Sequence, residues 1–342
     1  MKNIEELKYR ERQVLSKIIQ LYILKGEPIG SRTLARHLEN ELGLSASTLR
    51  NLMSDLEELE YISHPHTSAG RVPTDKGYRF YVDNLNEVGK LNPNDLHKYS
   101  EELASKDYDT LFKSTTKMLS WLSNSLAIIQ MPEIKNCTVT NLELVPITEK
   151  RLLVIISIDS NFVRTVTLES SFLLDRYMLE EINAALNEKL AGKPLKYIRE
   201  NFESIIKEKD FTDKPVIRLF TNSLDKIVQN LNPGEKVLHS GATNLLTYPE
   251  FGNLSKVRTI VELLENQDVI IHLLEKADEH SKVKVLIGKE IDNSLFNDYG
   301  MVLTTYNYGN ALGSMGIIGP KRMDYPKMIS FASTFANILS KL

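Results

Sequence analysis

The chain contains a single cysteine, and this scarcity excludes several kinds of site. Cys137 has no second cysteine to pair with, so an intramolecular disulfide and a cysteine-rich zinc site are both excluded. The apolar neighbours of Cys137 predict a small buried side chain and not a nucleophile. Such sparing use of cysteine is typical of proteins from a reducing compartment.

Long hydrophobic runs are lacking as well. The most apolar stretch, residues 152–158, is too short to cross a bilayer. The first residues, MKNIEELKYRERQ, contain no apolar segment of the kind found in signal peptides. We therefore expect a cytoplasmic protein with no membrane partner.

Neither sign of charge dominates the sequence. The net charge is −3 at neutral pH, and residues 1–85 carry equal numbers of basic and acidic side chains. Any nucleic-acid interface must therefore be a local patch and not a basic domain. The hydrophobic content of 42% and the charged content of 25% are those of an ordinary globular protein, and 342 residues predict two or three domains.

The N-terminal part of the chain has the pattern of a helix-turn-helix. Apolar side chains recur with helical spacing over residues 8–25, and Gly26 follows at the position of a helix C-terminus. Ser31 is suited to cap a second helix, Gly43 to form a tight turn and Ser45 to cap a third helix. Helix, helix, turn and helix is the order in which the last helix contacts DNA bases.

The third predicted helix has one apolar face and one polar face. The apolar face consists of Leu49, Leu52, Met53, Leu56 and Leu59. The candidate DNA-binding residues at its start and on its polar face are Ser45, Ser47, Thr48, Arg50, Asn51 and Ser54. Arginine can form two parallel hydrogen bonds with guanine, and asparagine can do so with adenine. The alternative interpretation is a surface helix with an ordinary solvated face.

A polar β-hairpin is predicted after this helix. Residues 61–62 and 71–72 suit two short strands, and the segment between them has no large apolar side chain. A hairpin that follows a recognition helix is a wing. We expect Arg71 near its tip, where it would contact phosphates or enter a minor groove. His66 and Thr67 are further candidate DNA-binding residues in the hairpin.

The sequence contains no recognisable catalytic or cofactor motif. The glycines at 309, 313, 316 and 319 fit neither the dinucleotide-binding nor the phosphate-binding spacing, so we predict turns and a strand hairpin there. A small ligand beneath these loops remains an open alternative. His64 and His66 form a His-X-His pair, but no third metal ligand is evident. We therefore predict no catalytic residues, no cofactor and no metal site.

Three segments resemble one known family. The most specific is PHTSAGRVPTDKGYRFYVD (residues 65–83), and GATNLLTYPEF (241–251) and IIGPKRMDYPKMISF (317–331) agree with it. On these segments the chain resembles the family of heat-inducible transcription repressors HrcA over essentially its whole length. One mild departure is Leu49, where similar sequences more often have Ile or Val, and this change keeps the apolar face.

The resemblance implies an α+β protein with three parts. These are an N-terminal winged helix-turn-helix (residues 1–88), a GAF-like domain (100–172 and 253–342) and a mostly helical inserted dimerisation domain (173–252). The pattern itself predicts strands over 138–170 and 283–306, with a helical block between them that splits one sheet.

The segment that leads into the body also has a predicted form. Residues 86–100 have the composition of a linker, and residues 101–130 are predicted to be a helix. Met118 and Trp121 on this helix are expected in the core.

The resemblance also implies partners. They are double-stranded DNA with an inverted repeat upstream of chaperone operons, a second copy of the chain as homodimer, and a GroEL-type chaperonin that keeps the repressor active. Each bidentate base contact contributes about 1–3 kcal/mol of discrimination, whereas specific and non-specific sites differ by about 4–10 kcal/mol. Two symmetric heads are therefore expected.

Two other functional classes remain alternatives. One is a small-molecule-sensing regulator or enzyme that carries a winged-helix head. The other is an interaction scaffold whose winged helix contacts protein, which the balanced charge of residues 1–85 would suit.

Overall fold

The computed structural model describes residues 7–65, 70–85, 92–106, 108–132, 137–159, 163–206, 214–229, 237–277 and 283–342. Within these ranges the chain forms an N-terminal head, a body built on a five-stranded sheet, and a unit inserted into the body. None of the helices in these ranges is both long enough and apolar enough to cross a membrane.

The head (residues 7–85) is a winged helix-turn-helix. Its elements are α1 (Tyr9–Lys25), α2 (Ser31–Leu42), α3 (Ala46–Glu58), β1 (Ile62–Ser63), β2 (Val72–Pro73) and α4 (Asp75–Asp83). Gly26 ends α1 with a left-handed φ of 68°, and the side-chain oxygen of Ser45 caps α3, which confirms both predictions. The side-chain oxygen of Thr74 caps α4 in the same way. Ser31 is the first residue of α2, and Gly30 takes the capping position.

Two helices and a strand connect the head to the body. They are α5 (Pro93–Ala104), α6 (Tyr108–Ser123) and β3 (Leu126–Gln130). The prediction of one helix over 101–130 is wrong at its end, where the chain forms β3. Residues 126–129 of this strand are buried on both faces of the sheet. A strand that is buried on both sides loses the alternation by which a sequence distinguishes it from a helix. The expected linker is also partly wrong, since Pro93 opens a helix at a position that proline favours.

Trp121 does not lie in the core as the sequence predicts. Its side chain is 75% exposed on α6, whereas Met118 is partly buried against the core. Leu111, Phe112 and Leu119 form the buried side of this helix. The spacing of apolar residues therefore predicts the helix correctly but not which of its large side chains is covered.

The chain then leaves the body to form a separate unit, the inserted unit (residues 137–229). Its elements are β4 (Val139–Thr148), β5 (Arg151–Ile158), β6 (Val163–Glu169), α7 (Arg176–Leu190), α8 (Leu195–Ile205) and α9 (Pro215–Gln229). The strands form their own antiparallel sheet, and one face of it shares a core with the helices. The prediction that strands over 138–170 and 283–306 belong to one sheet is therefore wrong. The predicted boundary between 172 and 173 divides this core.

After the inserted unit the chain returns beside the strand from which it left. The remaining α-helices and strands are β7 (Val237–Ser240), α10 (Ala242–Leu245), α11 (Leu254–Glu265), α12 (Gln267–Leu274), β8 (Lys284–Ile287), β9 (Tyr299–Tyr308), β10 (Ala311–Pro320) and α13 (Tyr325–Leu339). The body sheet is antiparallel with the order β7-β3-β10-β9-β8. Gln130 and Val237 are register partners in it. An insertion between two neighbouring strands leaves the sheet intact, because its ends lie side by side.

The body sheet has helices on both faces. Alternate residues of β3 face opposite sides: Ala127 and Ile129 join the core that includes α6 and α13, and Leu126 and Ile128 join the core formed with α11 and α12. The first of these cores continues into the head without interruption. The head is therefore packed on the body and is not a tethered module.

The glycine-rich segment 309–319 is occupied by a strand. A Cβ atom on Gly313 would lie 2.4 Å from Cζ of Tyr306, so only glycine leaves room for this buried ring. The hydroxyl of Tyr306 donates to the carbonyl oxygen of Gln130 at 2.9 Å. Core packing thus accounts for Gly313 without a ligand.

Candidate nucleic-acid interface

The recognition helix, α3, is held in the head by its apolar face. Leu49, Met53 and Leu56 are buried, and Leu52 and Leu59 pack partly buried against the same core. These residues recur every three or four positions, so they share one side of the helix and contact α1 and α2. Burial of this side turns the opposite side outward.

The outward side carries the predicted polar residues. We call it the recognition face, and its members Ser47, Thr48, Arg50, Asn51 and Ser54 are all exposed. Within the described part of the chain, Arg50 forms no ion pair with an acidic side chain, so its guanidinium is available to a ligand. Serine and threonine hydroxyls, a guanidinium and an amide are the groups that contact phosphates and base edges in a major groove.

Ser45 has a structural role at the start of the recognition helix. Its hydroxyl oxygen accepts a hydrogen bond from the backbone N–H of Thr48 at 3.2 Å. The same oxygen lies 2.8 Å from the hydroxyl of Ser47 and 2.9 Å from that of Thr48. Ser45 therefore fixes the first turn of α3 and joins three hydroxyls at the helix N-terminus, the end that favours anions.

Arg71 lies directly before β2, on the loop side of the last paired residues of the wing, Ser63 and Val72. The turn of the hairpin falls outside the described residues, so the expected position of Arg71 near the tip stays a prediction. The backbone N–H and carbonyl group of Arg71 each form a 2.9 Å hydrogen bond with Ile29, in the turn between α1 and α2. Nη2 of Arg71 lies 2.7 Å from Oε2 of Glu57 on the recognition helix. The strands of the wing are two residues long, so the sequence pattern does not determine where the hairpin turns. His66 and Thr67, predicted to bind DNA, lie outside the described residues.

Glu57 is a member of this region that the sequence pattern does not reveal. Its carboxylate forms a hydrogen bond with Nδ1 of His64 and an ion pair with Arg71. It therefore joins the last turn of α3 to both sides of the wing. Burial by itself would raise the pKa of Glu57, but the hydrogen bond from His64 and the charge of Arg71 outweigh it and lower the pKa. Glu57 thus stays ionised beside two basic groups.

Comparison with known proteins gives consistent similarities along the chain. The family model "Winged helix-turn-helix transcription repressor, HrcA DNA-binding" matches residues 6–85, and "HrcA protein C terminal domain" matches residues 109–329. The heat-inducible transcription repressor HrcA of Chlorobium phaeobacteroides (strain BS1) is 35% identical over an alignment of 347 positions, which covers 98% of each sequence. The repressor of the same name from Thermoanaerobacter sp. (strain X514) is 33% identical and covers 97% of this chain and 96% of its own.

One solved structure is similar over the whole length. It is described as a hypothetical protein at 2.2 Å resolution, has 25% sequence identity, and superposes with a TM-score of 0.66 over 98% of both chains. The arrangement of head, body and inserted unit therefore has a counterpart among solved structures.

Proposed function

Since the chain belongs to the HrcA family of winged-helix transcription repressors, a non-enzymatic family, we propose that it represses chaperone operons as a homodimer on an inverted-repeat operator. The observation that carries this proposal is the exposed recognition face, backed by a buried apolar side of the same helix. We propose further that the body is the GAF-like domain and that the protein acts in the cytoplasm. The antiparallel body sheet with helices on both faces supports the first of these assignments.

The energetics of DNA recognition support a dimer. One recognition face offers Arg50 and Asn51 as its two bidentate groups, and each contributes about 1–3 kcal/mol of discrimination. Specific and non-specific sites differ by about 4–10 kcal/mol. Two heads related by a two-fold axis bring the sum into this range, and the operator then has the same two-fold symmetry.

The inserted unit offers a surface for the second copy. Val145 on β4 is 39% exposed, and its register partner Leu153 and the next outward residue, Ile155, are only partly buried on β5. The other face of this sheet, with Leu144 and Val154, is buried against helices. A sheet with apolar side chains on both faces is typical of one that is covered on both sides. We propose that the same face of a second copy covers it.

The edge of this sheet formed by β4 is already protected, which favours pairing through the face. Oδ1 of Asn187 accepts the backbone N–H of Leu142 at 2.7 Å, and Oδ1 of Asn183 accepts that of Leu144 at 3.0 Å. These two amides of α7 occupy hydrogen-bonding groups of β4 that a strand from another chain would need.

The family resemblance also supports a GroEL-type chaperonin as partner that maintains the active repressor. A physical basis would be marginal stability of the body, so that the folded fraction depends on the chaperonin supply. Purified chaperonin with ATP should increase the fraction of dilute protein that binds operator DNA in a gel-shift titration. No increase would remove the chaperonin from the proposal.

The decisive experiment is a DNase footprint on DNA from upstream of a chaperone operon in the source genome. We expect protection of two half-sites related by a two-fold axis, at protein concentrations that leave a scrambled sequence unprotected. The variant with both Arg50→Ala and Asn51→Ala is the matched control, because it removes the two bidentate groups and leaves the buried side of α3 unchanged. Equal protection of the intact and scrambled DNA would contradict the proposal.

A further inference from the structure

We propose that Glu57 is a positioning residue of the DNA-binding head, which uses Arg71 and His64 to hold the wing against the recognition helix. In this assignment Arg71 binds Glu57 and does not bind DNA phosphate. The inference rests on the proposed DNA-binding function and adds to it a residue outside the recognition face.

The position of Arg71 is fixed by its backbone. Its two 2.9 Å hydrogen bonds with Ile29 attach the start of β2 to the turn between α1 and α2. A Cβ atom on the preceding residue, Gly70, would lie 2.6 Å from the carbonyl carbon of Ile29, so this approach is as close as two backbones allow. These contacts hold the backbone of Arg71 beside the turn between α1 and α2.

The guanidinium of Arg71 is poorly placed to hold a phosphate. A two-pronged contact requires two neighbouring N–H groups of the planar fork, and both such pairs, Nε with Nη2 and Nη1 with Nη2, include Nη2. Nη2 is bound to Glu57 at 2.7 Å, and within the described ranges Nε is buried without a hydrogen-bond partner. The side chain as a whole is 27% exposed. Glu57 thus occupies the part of the fork that a phosphate would need.

Glu57 itself needs its two partners if the helix is to approach DNA. It lies on α3, seven residues after Arg50, and its side chain is 24% exposed. An unpaired carboxylate there would repel the phosphate backbone. Arg71 neutralises it and His64 hydrogen-bonds to it, and the two come from opposite sides of the wing, so one carboxylate couples the wing to the recognition helix.

A double-mutant cycle distinguishes this role from a direct phosphate contact. The probe is a labelled duplex that the wild-type full-length protein selects from a randomised pool, and the variants are Arg71→Gln, Glu57→Gln and the two combined. We expect Arg71→Gln to weaken binding about tenfold in the wild-type background, a coupling usual for residues in contact, and less than about twofold in the Glu57→Gln background. The salt dependence of affinity should keep its slope.

A direct phosphate contact would give the opposite results. The loss from Arg71→Gln would then be equal in both backgrounds, and the slope of log affinity against log salt would fall by about 0.9. Those results would overturn the proposal. Arg50→Gln is the matched control: about two helical turns separate positions 50 and 57, so its loss should be the same in both backgrounds.

Two other outcomes also have a defined meaning. If the wild-type protein selects no duplex, the proposed function itself fails, and this outcome is distinct from additivity in the cycle. If Arg71→Gln does not fold by circular dichroism, a structure of the wild-type protein on the selected duplex decides the question. An intact Arg71–Glu57 ion pair supports the proposal, and the guanidinium on a phosphate overturns it.

Discussion

Arg79 in the head is bound to Glu290 in the body, 211 positions further along the chain. Nε of Arg79 donates to Oε1 of Glu290 at 2.8 Å, and Nη2 donates to the carbonyl oxygen of Val285 at 2.7 Å. Asp75, at the start of the same helix, forms a 2.7 Å ion pair with Lys321 of the body. Together with the apolar core that the two parts share, these contacts hold the head in one orientation on the body. A dimer assembled through the body or the inserted unit would therefore hold its two heads at a fixed separation.

Substitution of Arg79 should relax this separation. We expect Arg79→Ala to lower the free energy of unfolding by about 1–2 kcal/mol, because it removes a partly exposed ion pair and a hydrogen bond to a backbone carbonyl. The more specific effect concerns DNA. Wild-type affinity should fall steeply when the spacer between half-sites changes by one or two base pairs, and the variant should tolerate the change better.

The matched control for Arg79 is Arg258→Ala. Arg258 forms a 2.7 Å pair with Glu262 within one helix, and its side chain is 80% exposed, so its loss leaves the joint between head and body intact. Identical spacing profiles for wild type and Arg79→Ala would refute the idea that this joint sets the separation of the heads.

Arg50 should determine sequence specificity more than general affinity. Arg50→Ala should weaken binding to the selected duplex by about 1–3 kcal/mol, the contribution of one bidentate base contact, and change binding to random DNA much less. Competition titrations with both DNAs provide the measurement. An equal loss for the two would identify Arg50 as a phosphate contact.

The outer face of the inserted sheet should hold the dimer together. Leu153→Lys places a charge in the middle of this face, and burying that charge without a partner is strongly unfavourable. Sedimentation velocity should show a dimer for wild type and a monomer for the variant, with an unchanged circular dichroism spectrum. Leu254→Lys is the control, because this leucine is 85% exposed at the start of α11 in the body. A dimeric Leu153→Lys protein would exclude this interface.

Tyr299 should make the folded protein less stable at alkaline pH. Its buried hydroxyl has no hydrogen-bond partner among the described residues, and burial, aided by the charge of Asp298, raises its pKa to about 12. In the unfolded chain a tyrosine titrates near pH ~10. The stability that Tyr299 contributes is therefore complete below that pH and is lost as the pH rises through the folded-state pKa.

Tyr299→Phe should accordingly flatten the alkaline loss of stability. At pH 7 we expect the variant to be as stable as wild type or more stable by about 1 kcal/mol, because an unsatisfied hydroxyl is removed while the ring remains. Urea unfolding at neutral and alkaline pH measures both effects. A destabilised variant at pH 7 would mean that the hydroxyl has a partner after all.

The helices of the head, and the side that each of them buries, could be predicted from the sequence because they depend on neighbours a few residues apart. Ser45 and Thr74 cap the helices that follow them, and Gly26 ends the first helix, each through contacts within its own turn. The 3.6-residue period alone places Leu49, Met53 and Leu56 inside and Arg50 and Asn51 outside.

Features that depend on distant partners were decided by the tertiary structure. The strands over 138–170 alternate like those of the body, and only packing against α7, α8 and α9 gives them a separate sheet. Trp121 has the spacing of a core residue, yet no other part of the described chain covers it. Arg71 has the chemistry of a phosphate contact, but the fold brings it to Glu57. A side chain's charge and shape are local properties, whereas the group it meets depends on how remote elements pack.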